Sequence, residues 1–74
     1  METIWEALKN PRDLIRISIG EFKGNLICDF RLWYLAEPDL WKPSPKGLSF
    51  SASLLPEIID ALKVAEQKLH YGGK

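Results

Sequence analysis

The sequence has little of what many small or membrane-bound proteins depend on. Cys28 is its one cysteine and His70 its one histidine, which excludes an internal disulfide and a zinc site within a single chain. No apolar run approaches the roughly 20 residues that a membrane-spanning helix needs, and acids stand near the N-terminus, where a signal peptide is basic. These absences predict a cytoplasmic protein with no membrane partner.

An excess of one charge sign is also lacking. Ten basic residues balance ten acidic ones, so binding of any polyanion must depend on where the charges lie. The chain has no nucleophile constellation, no glycine-rich phosphate loop and no clustered metal ligands. We therefore expect a protein that is not an enzyme and that needs no cofactor.

The chain is short, at 74 residues, and is expected to form a single domain over 1–74. Chains of this size bury only about 60 % of the surface that they expose when unfolded. A second copy is the simplest way to enlarge the core, so the length favours a dimer.

Alternation of apolar and polar residues predicts a sheet. Residues 14–22 and 26–34 each place apolar side chains on one face, as half-buried strands do. Gly24 lies between them, where a hairpin turn needs a residue that tolerates positive φ. Cys28 falls on the apolar face and is expected to be buried. A further short strand is predicted at 46–51.

The sequence predicts one structure for the C-terminal end of the chain and two alternatives for the N-terminal end. Apolar residues recur at intervals of three and four over about 54–70, which predicts an amphipathic helix, with a frayed tail at 71–74. The N-terminal segment fits two structures. Thr3 and Glu6 form a capping box for a short helix, whereas the alternation at 4–9 fits a strand.

The segment WKPSPKGLSF, residues 41–50, holds two prolines between two lysines. Pro43 and Pro45 fix φ, which predicts a stiff loop that holds Lys42 and Lys46 in place. Less entropy would then be lost when phosphates bind. The other interpretation is a plain solvated loop.

One ordered set of motifs connects the chain to a known family. It consists of EFKG, DFRLWY and KPSPKG, in that order, followed by the amphipathic helix. In this set, over roughly residues 4–70, the chain resembles the single-stranded-DNA-binding domain of the transcriptional positive cofactor four family, including its short bacterial and phage members. The resemblance implies an α+β fold, in which a four-stranded curved antiparallel sheet is followed by one helix. It also implies a homodimer that pairs through the helices, and it favours a strand at 4–9.

The resemblance further implies a function. Members bind single-stranded or melted DNA with little sequence preference, in transcription regulation as coactivators, or in replication or repair; a bacterial member would be nucleoid-associated. The family's contacts fall here on Phe22, Lys23, Arg31, Tyr34, Lys42 and Lys46. Asn25 and Pro45 stand where the family often has basic residues, so weaker and more salt-sensitive binding is expected.

The residue types support this function without the family. Unpaired nucleic acid needs cations for its phosphates and flat rings for its bases, and each stacked base contributes about 1 to 3 kcal/mol. The non-core faces of the predicted hairpin carry Arg16, Phe22, Arg31 and Trp33. Trp33 and Tyr34 are both candidates for the stacking residue, since alternation favours the first and the resemblance the second. Trp41 is a further candidate.

Other interpretations of these residues stay open. Phe22, Trp33 and Tyr34 also fit packing in the core or the dimer seam, and Arg31 with Asp29 fits a surface ion pair of little energetic value. The chain also fits a protein-interaction module whose helix and sheet face bind a partner, which the zero net charge favours. Contacts to backbone and base faces do not distinguish DNA from RNA.

Overall fold

Long alternating segments build an antiparallel sheet in which each strand pairs with its neighbour in sequence. In the computed structural model, which describes residues 1–72, the strands are β1 (Glu2–Asn10), β2 (Asp13–Phe22), β3 (Asn25–Glu37) and β4 (Leu40–Ser51), in the order β1-β2-β3-β4. The predicted fold class is confirmed, and the N-terminal segment is a strand.

One helix follows the sheet. A 3-10 turn at Ala52–Leu54 leads into α1 (Leu55–Gly72), and the Ser51 hydroxyl accepts a hydrogen bond from the Ser53 N–H at 3.3 Å. Ser51 therefore caps the entry to the helical region. The helix extends two residues past its predicted end, and the rest of the predicted tail lies outside the described residues.

A two-residue turn joins β2 to β3. Lys23 has φ 51° and Gly24 has φ 82°, the left-handed conformation that both central residues of a type I′ turn adopt. The predicted hairpin with Gly24 in its turn is confirmed. This turn type matches the right-handed twist of the flanking strands, so the hairpin continues into the turn without splaying.

The prediction of a loop before the last strand is wrong. β4 begins at Leu40, whereas the strand was expected to begin at 46. Pro43 and Pro45 therefore lie inside a strand. A proline has no N–H to donate to a ladder and is confined to edge strands and bulges, and β4 is the last strand of this sheet.

A bulge in β4 accommodates the prolines. Residues 44–46 lie opposite Leu32 alone, because the pairing of β3 with β4 shifts register there. Ser44 fastens the bulge: its hydroxyl donates to the Leu32 carbonyl at 2.8 Å and accepts from the Lys46 N–H at 3.0 Å. The lysine-bearing segment is thus held by the sheet and does not form a free loop.

The sheet has one polar and one apolar face, as the alternation predicted. Side chains alternate between the faces along each strand, and in the middle of the sheet the register places polar residues opposite polar ones and apolar residues opposite apolar ones, as in the pairs Arg16–Arg31 and Ile17–Phe30. The polar face carries Thr3, Glu6, Arg16, Ser18, Asp29, Arg31, Trp33 and Ser49. The apolar face carries Trp5, Ile15, Ile17, Ile19, Leu26, Cys28, Phe30, Leu48 and Phe50.

Cys28 lies near the centre of the apolar face. It is 2 % exposed, which confirms the prediction of a buried cysteine, and burial raises the pKa of its thiol. Phe30 and Phe50 pack edge to face beside it, with ring centroids 5.3 Å apart. Such pairs are favourable because a positive ring edge meets a negative ring face.

Most of the apolar face is nevertheless open within one chain. Trp5 is 50 % exposed, Leu26 67 % and Leu48 58 %, and every side chain of α1 from Ile59 to His70 is exposed. The helix leaves the sheet and does not cover it. The exposure of Trp5 excludes it from the core of a single chain.

Candidate nucleic-acid interface

The polar face of the sheet holds a shallow concavity of about 410 Å³, which we call the polar trough. Residues of all four strands line it, among them Thr3, Arg16, Arg31, Trp33, Pro43 and Ser49. Of the predicted contacts, Arg16, Arg31 and Trp33 come together here. Their meeting follows from register, because Arg16 lies directly opposite Arg31 in the β2–β3 pairing.

Arg31 is held in the polar trough by Asp29. Its Nε and Nη2 donate to the two oxygens of the Asp29 carboxylate at 3.1 and 2.8 Å, and its Nη1 donates to the Ser44 carbonyl at 3.0 Å. The side chains of Arg31 and Asp29 are 23 % and 8 % exposed. The pair is therefore bidentate and largely buried, which corrects the interpretation as a surface pair.

Ser49 completes this network. Its hydroxyl donates to Asp29 Oδ1 at 2.6 Å, so the carboxylate accepts three hydrogen bonds. Burial opposes ionisation of Asp29, but the hydrogen bonds from Arg31 and Ser49 outweigh it, and the pKa of Asp29 is lowered. The same contact raises the pKa of Arg31. The described residues engage three of the five guanidinium N–H groups of Arg31.

Arg16 makes a different arrangement in the same trough. Its Nε donates to Glu6 Oε1 at 2.7 Å, and its Cζ lies 3.9 Å from the centroid of the Trp33 ring. An arginine over an indole is a favourable cation–π contact. One face of the Trp33 ring is thereby covered by a guanidinium, whose planar group can itself stack against a base.

A second concavity lies at the turn end of the polar face. Phe22, Asn25, Ile27 and Ser51 line it, and Ser49 is shared with the polar trough. Phe22 is 61 % exposed, and Lys23 Nζ lies 5.3 Å from the centroid of its ring. These two predicted contacts thus form an exposed aromatic and cationic pair at the tip of the hairpin.

The two aromatic ends of the polar face are well separated. Asn25, which pairs with Phe22, precedes Trp33 by eight residues, a span of about 27 Å in an antiparallel strand. Arg16 and Arg31 lie between the ends. Along the strands, the face therefore presents a ring, two guanidinium groups and a second ring.

Other predicted contacts do not join this face. Tyr34 pairs with Lys42 in the β3–β4 register, and alternation puts both on the side opposite Trp33. Tyr34 is 41 % exposed. Lys46 is exposed in the bulge, and Trp41 is half-buried near the start of β4. The set predicted from sequence is thus divided between two faces and the edge of the sheet.

Sequence reasoning missed the residues that position the arginines. Glu6 reaches Arg16 because these two residues are directly opposite in the β1–β2 pairing, and Ser49 reaches Asp29 through the β3–β4 pairing. Alternation assigns a residue to a face but does not set the register between strands. The spacing of Asp29 and Arg31 at i and i+2, on one face of a strand, was the one available signal.

Comparisons with known proteins agree with the fold of the chain. The model of the family described as Transcriptional Coactivator p15 (PC4) matches residues 9–61. No curated protein sequence matches the chain. Across residues 1–72, no helix is both long and apolar enough to cross a membrane.

Two solved structures are similar over most of the chain. One is the crystal structure of BPSL1147, a PC4 homolog from Burkholderia pseudomallei K96243, with a TM-score of 0.83, 28 % identity and 90 % of each chain covered. The other is the bacteriophage T5 homolog of the eukaryotic transcription coactivator PC4, implicated in recombination-dependent DNA replication. Its TM-score is 0.66 at 26 % identity, covering 97 % of this chain and 80 % of the phage chain.

Proposed function

Because the chain belongs to the Transcriptional Coactivator p15 (PC4) family, we propose that it binds single-stranded or melted DNA with little sequence preference, as an accessory protein in transcription, replication or repair. The observation that carries this proposal is the polar face, where two guanidinium groups lie between two exposed or half-exposed aromatic rings. The protein would bind and perform no chemistry, and in a bacterial cell it would act in the cytoplasm, where the DNA lies.

The proposed mechanism divides the ligand between two kinds of contact. The two N–H groups of Arg31 that have no partner among the described residues would donate to a backbone phosphate. Phe22 at one end and the Arg16–Trp33 pair at the other would stack bases, at about 1 to 3 kcal/mol for each base. A duplex hides its base faces, so this mechanism favours unpaired strands.

We propose that two copies act together as a homodimer. The apolar face of the sheet and the helix side chains from Ile59 to His70 are exposed in one chain, and exposed apolar areas of this extent mark interaction surfaces. Pairing of α1 with its copy would cover them and leave the polar faces free. The ligand surface would then consist of two polar faces in a fixed relation.

The test is a fluorescence titration of the protein with single-stranded DNA, single-stranded RNA and duplex DNA of equal length. We expect tryptophan quenching and tighter binding for the unpaired strands, because both depend on open base faces. We also expect the logarithm of the affinity to fall with the logarithm of salt, by about 0.7 for each neutralised phosphate. Equal affinity for duplex and unpaired DNA would contradict the proposal.

A protein-interaction module is the second candidate. It is favoured by the pairing of Arg16 and Arg31 with carboxylates, which leaves the polar trough with little net charge. The same titration separates the two candidates. A module of this kind would show neither quenching nor salt dependence with any oligonucleotide.

A further inference from the structure

Building on the proposed function, we propose that Glu6 is an internal competitor of the nucleic-acid backbone. Its carboxylate occupies the position on Arg16 that a phosphate would take, and it must yield before a phosphate binds there. The affinity of the chain for nucleic acid would thereby be lower than it would be if Arg16 had no carboxylate partner.

The Glu6–Arg16 contact has the geometry of a ligand contact. Glu6 Oε1 lies 2.7 Å from Arg16 Nε, a distance typical of a charge-assisted hydrogen bond to a carboxylate or phosphate oxygen. The ring of Trp33 lies against one face of the Arg16 guanidinium and limits its movement. A phosphate approaching Nε would have to displace the carboxylate, and one approaching the Nη groups would be repelled by it.

Exposure distinguishes this contact from the second ion pair of the trough. The side chain of Glu6 is 46 % exposed, against 8 % for Asp29. Among residues 1–72, Asp29 accepts three hydrogen bonds, whereas Glu6 accepts one, from Arg16. Exposed pairs of this kind contribute little to folding, so Glu6 can swing into solvent at small cost, and Asp29 cannot.

The location of Glu6 adds to this difference. It belongs to β1, an outer strand of the sheet, and it stands directly opposite Arg16. Its side chain can therefore leave the trough towards the open edge without disturbing the neighbouring strands. A backbone phosphate would then replace one anion by another on the same guanidinium.

The test is oligonucleotide affinity of Glu6→Gln at two salt concentrations. Glutamine keeps an oxygen that accepts from Arg16 Nε but removes the charge, so Arg16 stays over Trp33. We expect single-stranded DNA to bind more tightly, by up to about fivefold, the range of an exposed ion pair. The slope of the logarithm of affinity against the logarithm of salt should become steeper by about 0.7, because Arg16 then neutralises one more phosphate and no carboxylate has to be displaced.

Two further variants make the test specific. Glu37→Gln removes the same charge from an exposed acid at the end of β3 that makes no ion pair among the described residues, and we expect a smaller effect. In a protein that already carries Arg16→Gln, Glu6→Gln should raise the affinity for single-stranded DNA no more than Glu37→Gln does, since the competition requires both Glu6 and Arg16. Circular dichroism of each variant establishes that it is folded.

The outcomes separate this inference from the function on which it rests. If the unaltered protein binds single-stranded DNA and Glu6→Gln changes affinity no more than Glu37→Gln, the competitor role is overturned and the function stands. Equal tightening with and without Arg16 also overturns it. If the unaltered protein binds no oligonucleotide, both proposals fail.

Discussion

The central carbon of the Arg16 guanidinium lies over the ring of Trp33, 3.9 Å from the ring centroid. The two residues come from adjacent strands and share the polar face. Each limits the freedom of the other, because the ring supports the cation and the cation covers one side of the ring. The polar trough thus contains a preformed stack to which a base can be added.

Replacement of Trp33 by leucine tests this stack. We expect Trp33→Leu to weaken binding of single-stranded DNA by about 1 to 3 kcal/mol, the value of one stacked base. Tyr34→Leu is the matched control, because Tyr34 is the next residue and lies on the opposite face. A larger loss in Tyr34→Leu, measured by fluorescence anisotropy, would show that Tyr34 is the stacking residue and that the polar face is misassigned.

Phe22 offers a test at the other end of the face. Its side chain is 61 % exposed, so Phe22→Ala should leave the free energy of unfolding nearly unchanged. Binding of an oligonucleotide long enough to reach both ends should weaken by about 1 to 3 kcal/mol. Urea unfolding and anisotropy of the same variant give the two quantities. A large loss of stability with unchanged affinity would place Phe22 in an interface and not in the binding site.

The Asp29 network predicts how stability depends on pH. The pKa of Asp29 is lowered from 3.8 in the folded chain, so its stabilising contribution is complete above that value and is lost as pH falls through the lower folded pKa. Asp29→Asn should remove about 1 to 3 kcal/mol at neutral pH, as expected for hydrogen bonds to a charged group.

Urea unfolding between neutral and acidic pH measures this effect. The variant should lose less stability than the unaltered protein as the pH falls, because it lacks the group that titrates. Equal acid sensitivity of the two proteins would mean that other carboxylates govern the pH dependence. Protein concentration must be the same throughout if the chain unfolds from a dimer.

Gly47 is required by the close approach of β4 to β3. A Cβ added there would lie 2.4 Å from the Phe30 carbonyl oxygen and 2.7 Å from Arg31 Cα, and both are backbone atoms that cannot move alone. We expect Gly47→Ala to cost about 1 to 3 kcal/mol of stability. Gly20→Ala is the control, since its closest contact is the flexible Met1 side chain. Equal thermal unfolding of the two variants would contradict the tight contact.

The proposed association through α1 can be tested by a charge on the apolar side of this helix. Leu62 is 56 % exposed in one chain, so Leu62→Glu should shift a dimer towards monomers in sedimentation equilibrium. Gln67→Glu adds the same charge on the polar side of the helix and should have little effect. A dimer that persists in Leu62→Glu would assign the contact to another surface.

The elements of the fold were predictable because each has a strong local pattern. The hairpin around Gly24 and the C-terminal helix follow from alternation, turn chemistry and helical periodicity, and the structure confirms them. The first half of β4 was not predictable in the same way. Pro43 and Pro45 favour a loop locally, and only the bulge at 44–46, held by Ser44 and Leu32, makes a strand possible.

The site was predictable in kind but not in arrangement. Arg16, Arg31 and Trp33 were assigned to one face from alternation alone. Their partners Glu6 and Ser49 come from other strands, and their positions depend on register, which is set by pairing over the whole sheet. For that reason the Glu6–Arg16 pair was not predicted, whereas the spacing of Asp29 and Arg31 already suggested theirs.

The prolines of β4 also affect how copies of the chain can meet. An outer strand normally offers a row of N–H and C=O groups on which another strand can add, and this is a common route to aggregation. Pro43 and Pro45 have no N–H to donate to an added strand, and a bulge such as the one at 44–46 interrupts the regular ladder of its strand. Growth of the sheet by strand addition is thereby opposed along this border, so a second copy that met it would have to bind through side chains and not through main chain.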